Sequence, residues 1–187
     1  MKKLYVVLFA IILVASTASA QQFWGQGKMS WGGGLELSLP LGNLGDWAGF
    51  GFGPFGKFQY GMNDNVLLTG SLGYTYWTGK DQGGGVKTTA SAVTLLFGGK
   101  YNLSQQVTKG FYGLGEIGLY FASYTWPNPA QGFFGGGTTY SVSETNFVFV
   151  PGAGYEFGNF DVSVKFVLGS NVTNIAARVA YQVPIGQ

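Results

Sequence analysis

Residues 175–185 read IAARVAYQVPI, and every second side chain from Ile175 to Ile185 is apolar or aromatic. The positions between them include Arg178 and Gln182. Successive side chains of a β-strand point to opposite faces, so this segment has one apolar face and one polar face that carries a charge. A soluble sheet and a membrane-spanning sheet both produce this alternation. Features of the rest of the chain are needed to determine which face is inside.

Seven earlier segments show the same two-residue period. The alternation predicts strands over about residues 30–39, 52–61, 66–77, 89–101, 111–124, 140–157 and 160–169. Turn residues separate several of them, including a two-residue hairpin turn at Gly158-Asn159. The sequence therefore predicts an all-β protein, with eight antiparallel strands connected in up-and-down order.

The connections between these strands alternate in length. Long loops follow the first, third and fifth strands, at residues 41–50, 79–87 and 126–139. Shorter turns follow the even strands, and the connection after the seventh strand is a short exception. Long extracellular loops opposite short periplasmic turns are typical of transmembrane β-barrels.

The composition also favours a membrane barrel. Charged residues make up 10% of the chain, whereas a soluble domain averages about 25% and needs them for its surface. A secreted β-sandwich or lipocalin-like barrel, with its apolar face inside, is the alternative. It explains less well the small side chains on the polar face, which suit a narrow interior: Gly32, Gly34, Gly73, Gly98, Gly118, Gly152 and Gly154.

Aromatic residues recur near both ends of the apolar faces. At the short-turn end we expect Tyr60, Tyr101, Phe111, Phe157, Phe160 and Tyr181, and at the long-loop end Phe52, Tyr74, Tyr76 and Phe121. Aromatic girdles mark the two interfaces of a membrane barrel. The apolar faces are therefore predicted to contact lipid, and the sheet must close so that no backbone edge is left unpaired in the bilayer.

Residues 1–20 have the pattern of a helical, cleaved signal peptide. Lys2 and Lys3 precede an apolar run over residues 4–14, and Ala18-Ser19-Ala20 matches the cleavage site. The run is too short for a transmembrane anchor, which needs about 20 apolar residues. Residues 21–187 then form one barrel domain. Without the two lysines it has eight basic and eight acidic residues, so its charge does not indicate a nucleic-acid partner.

Most remaining charges share the polar face and are predicted to form a structural network in the lumen: Glu36, Lys57, Lys100, Glu116, Glu156, Asp161, Lys165 and Arg178, with Glu144 on the same face. Such a nearly balanced network would plug a narrow barrel. The hairpin turn places Glu156 opposite Asp161. We interpret them as a pair neutralised by Lys100, and the alternative is a proton-sharing catalytic dyad. Lys165 lies near Arg178, and Glu36 is the carboxylate expected between them.

The residue types in the chain give little support for a catalytic function. The chain has no His and no Cys, which removes the commonest general base, metal ligand and thiol nucleophile. We predict no catalytic, cofactor-binding or metal-binding residues. Loop aromatics, at Trp47, Trp126, Phe133 and Phe134, are expected to pack in the loops or anchor at the interface. Their alternative role is an extracellular ligand surface.

Taken together, these patterns resemble the small eight-stranded outer-membrane β-barrels, of the OmpX/Ail-like and OmpA-transmembrane-domain type. The resemblance rests on the signal peptide, the eight segments, the loop asymmetry and a last strand with Tyr181, Val183 and Ile185. It implies a monomer in the outer membrane of a Gram-negative-type bacterium, surrounded by outer-membrane lipid and inserted by the barrel-assembly machinery. The family usually ends in an aromatic residue, whereas this chain ends Ile185-Gly186-Gln187.

The function expected for such a barrel is structural and loop-presenting, without catalysis. A narrow porin-like channel, or a conduit for small apolar molecules, is the alternative. A lipid-modifying enzyme of the outer membrane is a more remote one.

Overall fold

The computed structural model describes residues 24–80, 88–104, 109–127 and 139–185. Its elements in chain order are β1 (Met29–Leu41), α1 (Gly42–Trp47), β2 (Ala48–Gly61), β3 (Val66–Gly79), β4 (Thr89–Asn102), β5 (Lys109–Pro127), β6 (Thr139–Phe157), β7 (Phe160–Gly169) and β8 (Thr173–Ile185). The predicted signal peptide lies outside the described residues, as do residues 81–87 of the predicted loop at 79–87, Phe133 and Phe134.

The eight strands form a closed antiparallel barrel in which each strand pairs with the next and β8 pairs with β1. The closing register places Leu35 beside Val179 and Glu36 beside Arg178. Closure leaves no unpaired sheet edge, which is the condition for a sheet to span lipid. The predicted all-β, up-and-down, eight-stranded barrel is confirmed, and so is the short connection after β7.

The interpretation of residues 41–50 as a loop is wrong. They contain the six-residue helix α1, and β2 begins at Ala48. Gly42 adopts φ 56°, a backbone conformation that glycine reaches without strain, and this lets the chain turn over the barrel end. No side chain caps the helix, so the sequence lacks the usual start signal. Within the described part of the chain, no helix is long and apolar enough to cross a membrane.

The outer face of the barrel is apolar. Leu35 is 65% exposed, Phe97 57% and Ile117 51%, and similar side chains surround the barrel on every strand. A soluble sandwich or lipocalin-like barrel would bury this face. The arrangement therefore overturns the soluble alternative and agrees with a barrel whose outside contacts lipid.

A belt of aromatic rings runs around part of the short-turn end. Ring centroids are 4.7 Å apart for Phe111 and Tyr155, 6.1 Å for Tyr155 and Phe157, 5.7 Å for Phe157 and Phe160, and 5.3 Å for Phe160 and Tyr181. The belt crosses β5 to β8 and contains four of the predicted girdle residues. Aromatic rings are enriched at this level of membrane proteins, where the protein meets the lipid headgroups.

The interior has two chemically different halves. Toward the long-loop end lies an apolar upper core, formed by Leu44, Ala48, Trp77, Ala90, Ala92, Leu96, Tyr120, Ala122, Tyr124, Val148, Val150, Val167 and Val172. The charged side chains lie below it. The part nearer the short turns matches the expected polar lumen, whereas in the upper half Ser38, Asn146 and Asn174 are buried among apolar side chains. Alternation identifies the inward face, but it does not predict how many inward positions of the upper half are apolar.

Candidate functional site: a filled lumen

The structure places all eight residues of the predicted network inside the barrel, in two groups. The lower cluster, near the short turns, consists of Lys57, Lys100, Glu156 and Asp161. The middle cluster, beneath the upper core, consists of Glu36, Glu116, Lys165 and Arg178. Each cluster has two acids and two bases, so each is neutral by itself.

Two lysines share one carboxylate in the lower cluster. Lys57 Nζ and Lys100 Nζ both donate to Asp161 Oδ2, and Lys100 Nζ also lies 2.7 Å from Glu156 Oε1. Glu156 and Asp161 face each other across the β6–β7 turn. All four side chains are at most 9% exposed. Because both carboxylates are engaged by ammonium groups, the geometry favours a structural ion-pair cluster over a proton-sharing dyad.

Neutral donors complete the lower cluster. Tyr112 Oη donates to Asp161 Oδ1 at 2.6 Å. Gln182 Nε2 donates to Glu156 Oε1 at 3.2 Å and to Asp161 Oδ2 at 3.0 Å. Buried charges are tolerated when ion pairs and hydrogen bonds satisfy them together, as they do here.

Trp24 closes the short-turn end of the lumen. It is 2% exposed, and its Nε1 donates to Glu156 Oε2 at 2.6 Å. The segment that carries it is attached to β2 by a hydrogen bond from Gly27 N to Gly61 O, 2.8 Å long. Trp24 was not among the predicted lumen residues. It precedes β1, where alternation offers no signal.

The middle cluster is centred on Glu36. Arg178 Nε donates to Glu36 Oε2 at 2.5 Å, and Lys165 Nζ lies 3.8 Å from the same oxygen. The prediction that Glu36 lies between these two cations is confirmed. Lys165 also contacts Glu116 Oε2 at 3.4 Å, and the Arg178 guanidinium lies 4.3 Å from the centre of the Phe55 ring.

Strand β3 supplies hydroxyl groups instead of charges. Thr75 Oγ1 donates to Glu36 Oε1 at 3.0 Å, and Thr69 Oγ1 donates to Glu116 Oε1 at 3.2 Å. Each carboxylate of the middle cluster therefore has a cation on one oxygen and a hydroxyl on the other. This fixes the relative positions of strands on opposite sides of the barrel.

The lumen leaves little free space between the two clusters. A cavity of about 30 Å³ lies there, lined among others by Phe55, Tyr112, Lys100 and Arg178. This is room for roughly one or two water molecules. Among the described residues, no group of three or more His, Cys, Asp or Glu could hold a metal ion.

Glycines of the inward face make room for large side chains. A Cβ at Gly154 would lie 2.3 Å from Tyr112 Oη, and one at Gly51 would lie 2.4 Å from Trp77 Cδ1. These distances are far below van der Waals contact. The glycines are therefore part of the packing, and a methyl group would push an aromatic ring out of place.

We expect Gly154→Ala to destabilise the barrel by about 1–3 kcal/mol, because the displaced Tyr112 ring would also strain its hydrogen bond to Asp161. Urea unfolding in lipid vesicles measures the change. Gly113→Ala is the matched control, since a Cβ there meets nothing within 4 Å. Equal losses in the two variants would contradict the packing argument.

Two other predicted positions lie at the long-loop end. Glu144 belongs to the inward face but sits at the rim, where Asn171 Nδ2 donates to its Oε2 at 3.2 Å, outside both clusters. Trp47 is half-buried and packs edge-on against Tyr124, with ring centroids 5.0 Å apart. Trp47 therefore packs against β5 and the upper core. The side chain of Trp126 lies outside the described part of the structure.

The fold is shared with solved outer-membrane barrels. Ail, the attachment invasion locus protein of Yersinia pestis, matches with a TM-score of 0.58 and 15% identity, over 84% of this chain and 99% of that chain. The outer membrane protein OprG from Pseudomonas aeruginosa matches with a TM-score of 0.53 and 13% identity, over 86% of this chain and 97% of that chain. No protein-family model and no curated protein matches the chain. The resemblance to small eight-stranded outer-membrane barrels is thus confirmed as a likeness of fold.

Proposed function

We propose that this protein is a non-catalytic integral barrel of the outer membrane that holds surface loops on a filled, closed scaffold. The observation that carries the proposal is the occupied lumen. Two neutral ion-pair clusters and the upper core occupy it, and the cavity between the two clusters has a volume of about 30 Å³. An interior of this kind stabilises the barrel and offers no continuous aqueous path.

The outer surface supports the membrane part of the proposal. Apolar side chains such as Leu72, 58% exposed, and Phe147, 63% exposed, would be unfavourable in water and are suited to lipid. The likeness in fold to Ail and OprG supports an outer-membrane location in a Gram-negative-type bacterium. Export by the signal peptide, insertion by the barrel-assembly machinery and a monomeric state belong to the same proposal.

The lumen weighs against the other functions. A porin-like channel or a conduit for small apolar molecules needs a passage, whereas Trp24 closes the short-turn end and Leu44 of α1 is buried in the upper core at the other. A lipid-modifying enzyme needs a reactive pair open to substrate. The paired carboxylates, Glu156 and Asp161, are instead buried and bound to lysines.

In planar lipid bilayers we expect the folded protein to give no stable conductance steps, because water and ions find no continuous path through the lumen. The sample should first show heat-modifiable gel migration, so that an absence of current can be assigned to the folded barrel and not to unfolded protein. A known porin inserted into the same bilayer is the positive control. Reproducible single-channel currents from the folded protein would defeat the proposal of a filled scaffold.

A further inference from the structure

An open cleft of about 270 Å³ lies at the rim of the long-loop end. We name it the rim cleft, and its lining residues are Asn43, Leu44, Trp47, Tyr124, Glu144 and Asn171. Helix α1 forms one side, β5 and β6 form another, and the connection after β7 contributes Asn171. It lies at the outer boundary of the upper core, with which it shares Leu44 and Tyr124, and it shares no residue with the two ion-pair clusters.

Two aromatic rings form part of the lining. Trp47 and Tyr124 meet at an interplanar angle of 81°, with centroids 5.0 Å apart. In such an edge-to-face pair, both faces of one ring stay uncovered by the other ring. The face of an aromatic ring carries negative partial charge, and tryptophan attracts cations most strongly among the aromatic side chains.

The charge of the residues that line the rim cleft also favours a cation. Glu144 is the one lining residue with a carboxylate, and no Lys or Arg is among the six. Its Oε2 accepts from Asn171 Nδ2 at 3.2 Å, and a carboxylate has about four acceptor positions, so this contact leaves capacity for a ligand. Lys80, which follows β3, donates to Gly45 O of α1 and is not part of the lining.

We propose that the rim cleft binds a small organic cation, with its ammonium group between the aromatic rings of Trp47 and Tyr124 and the carboxylate of Glu144. Aromatic rings next to a carboxylate are the usual recognition chemistry for quaternary and alkyl ammonium groups. The side-chain amides of Asn43 and Asn171 can hydrogen-bond to a hydroxyl on the same ligand. This site goes beyond the proposed scaffold function, which requires no ligand.

Choline and its neutral isostere, 3,3-dimethylbutan-1-ol, test the proposal directly, because they share a shape and differ in charge. The folded protein in lipid nanodiscs, labelled with 15N at tryptophan, would be titrated while the Trp47 indole signal is followed by NMR. A Trp47→Phe sample assigns that signal. We expect a saturable shift with choline, and binding of the isostere about 5-fold weaker or more.

Glu144→Gln isolates the role of the carboxylate. We expect it to weaken choline binding about 2- to 5-fold. Asp64→Asn removes one acidic charge at the exposed turn of the opposite barrel end and should leave binding unchanged. A non-saturable shift, equal binding of choline and the isostere, or equal losses in both variants would each overturn the proposal. The comparison of the two probes needs only the wild-type protein, so it holds even where a variant folds poorly.

Discussion

Asp161→Asn is expected to destabilise the barrel by about 3–5 kcal/mol, the usual cost of removing one partner from a buried ion pair. Lys57 and Lys100 both donate to Asp161 Oδ2, and their side chains are only 9% and 5% exposed. The change leaves two buried ammonium groups with Glu156 as the single carboxylate of the lower cluster. The free energy of unfolding, from urea titration in lipid vesicles followed by gel migration and tryptophan fluorescence, measures this effect.

A second substitution separates charge imbalance from lost packing. Lys57→Met added to Asp161→Asn restores neutrality and leaves Lys100 paired with Glu156 at 2.7 Å. We expect this double variant to be more stable than Asp161→Asn alone, although both lack the same carboxylate. If the loss of stability in the double variant equals the sum of the losses in Asp161→Asn and Lys57→Met, the lower cluster is not held by charge balance.

Much of the barrel could be predicted because its physical causes are local. Alternation over 160–169 gives strand β7 with its observed limits, and the same period gives the outward face of every strand. Closure then brings the last strand beside the first, which is why Glu36 could be assigned to Arg178. In that case one long-range contact followed from strand number and alternation alone.

Contacts across the lumen could not be predicted in the same way. Lys57 on β2 reaches Asp161 on β7, and these strands are not neighbours in the sheet. Such contacts depend on strand tilt and stagger, which alternation does not specify. The position of each inward side chain along the barrel axis decides which group it joins. This position separates the lower cluster, the middle cluster and the upper core around Trp77. Trp24 and α1 lie outside the strands and have no periodic signal at all.

Phe97→Arg tests the membrane-facing surface, and we expect it to cost about 2–4 kcal/mol in lipid vesicles relative to Phe97→Ala. Phe97 is 57% exposed on the outside of β4 and lies beside Ile117 of β5. It is midway between Tyr101 toward the short turns and Val93, whose neighbour is Phe121 toward the long loops. An arginine there would place its charge near the centre of the bilayer. Urea unfolding of the two variants in the same vesicles gives the difference.

Leu103→Arg is the matched control, because Leu103 is 62% exposed and follows β4 beyond Tyr101. Near the interface the same change should cost only about 0–1 kcal/mol relative to Leu103→Ala. In water the two positions are equally accessible, so a soluble barrel would tolerate both arginines alike. A bilayer distinguishes them by depth alone. A large loss of stability from the arginine at Phe97, with a small loss at Leu103, therefore requires a lipid-facing exterior. Equal losses at the two positions would contradict a lipid-facing exterior.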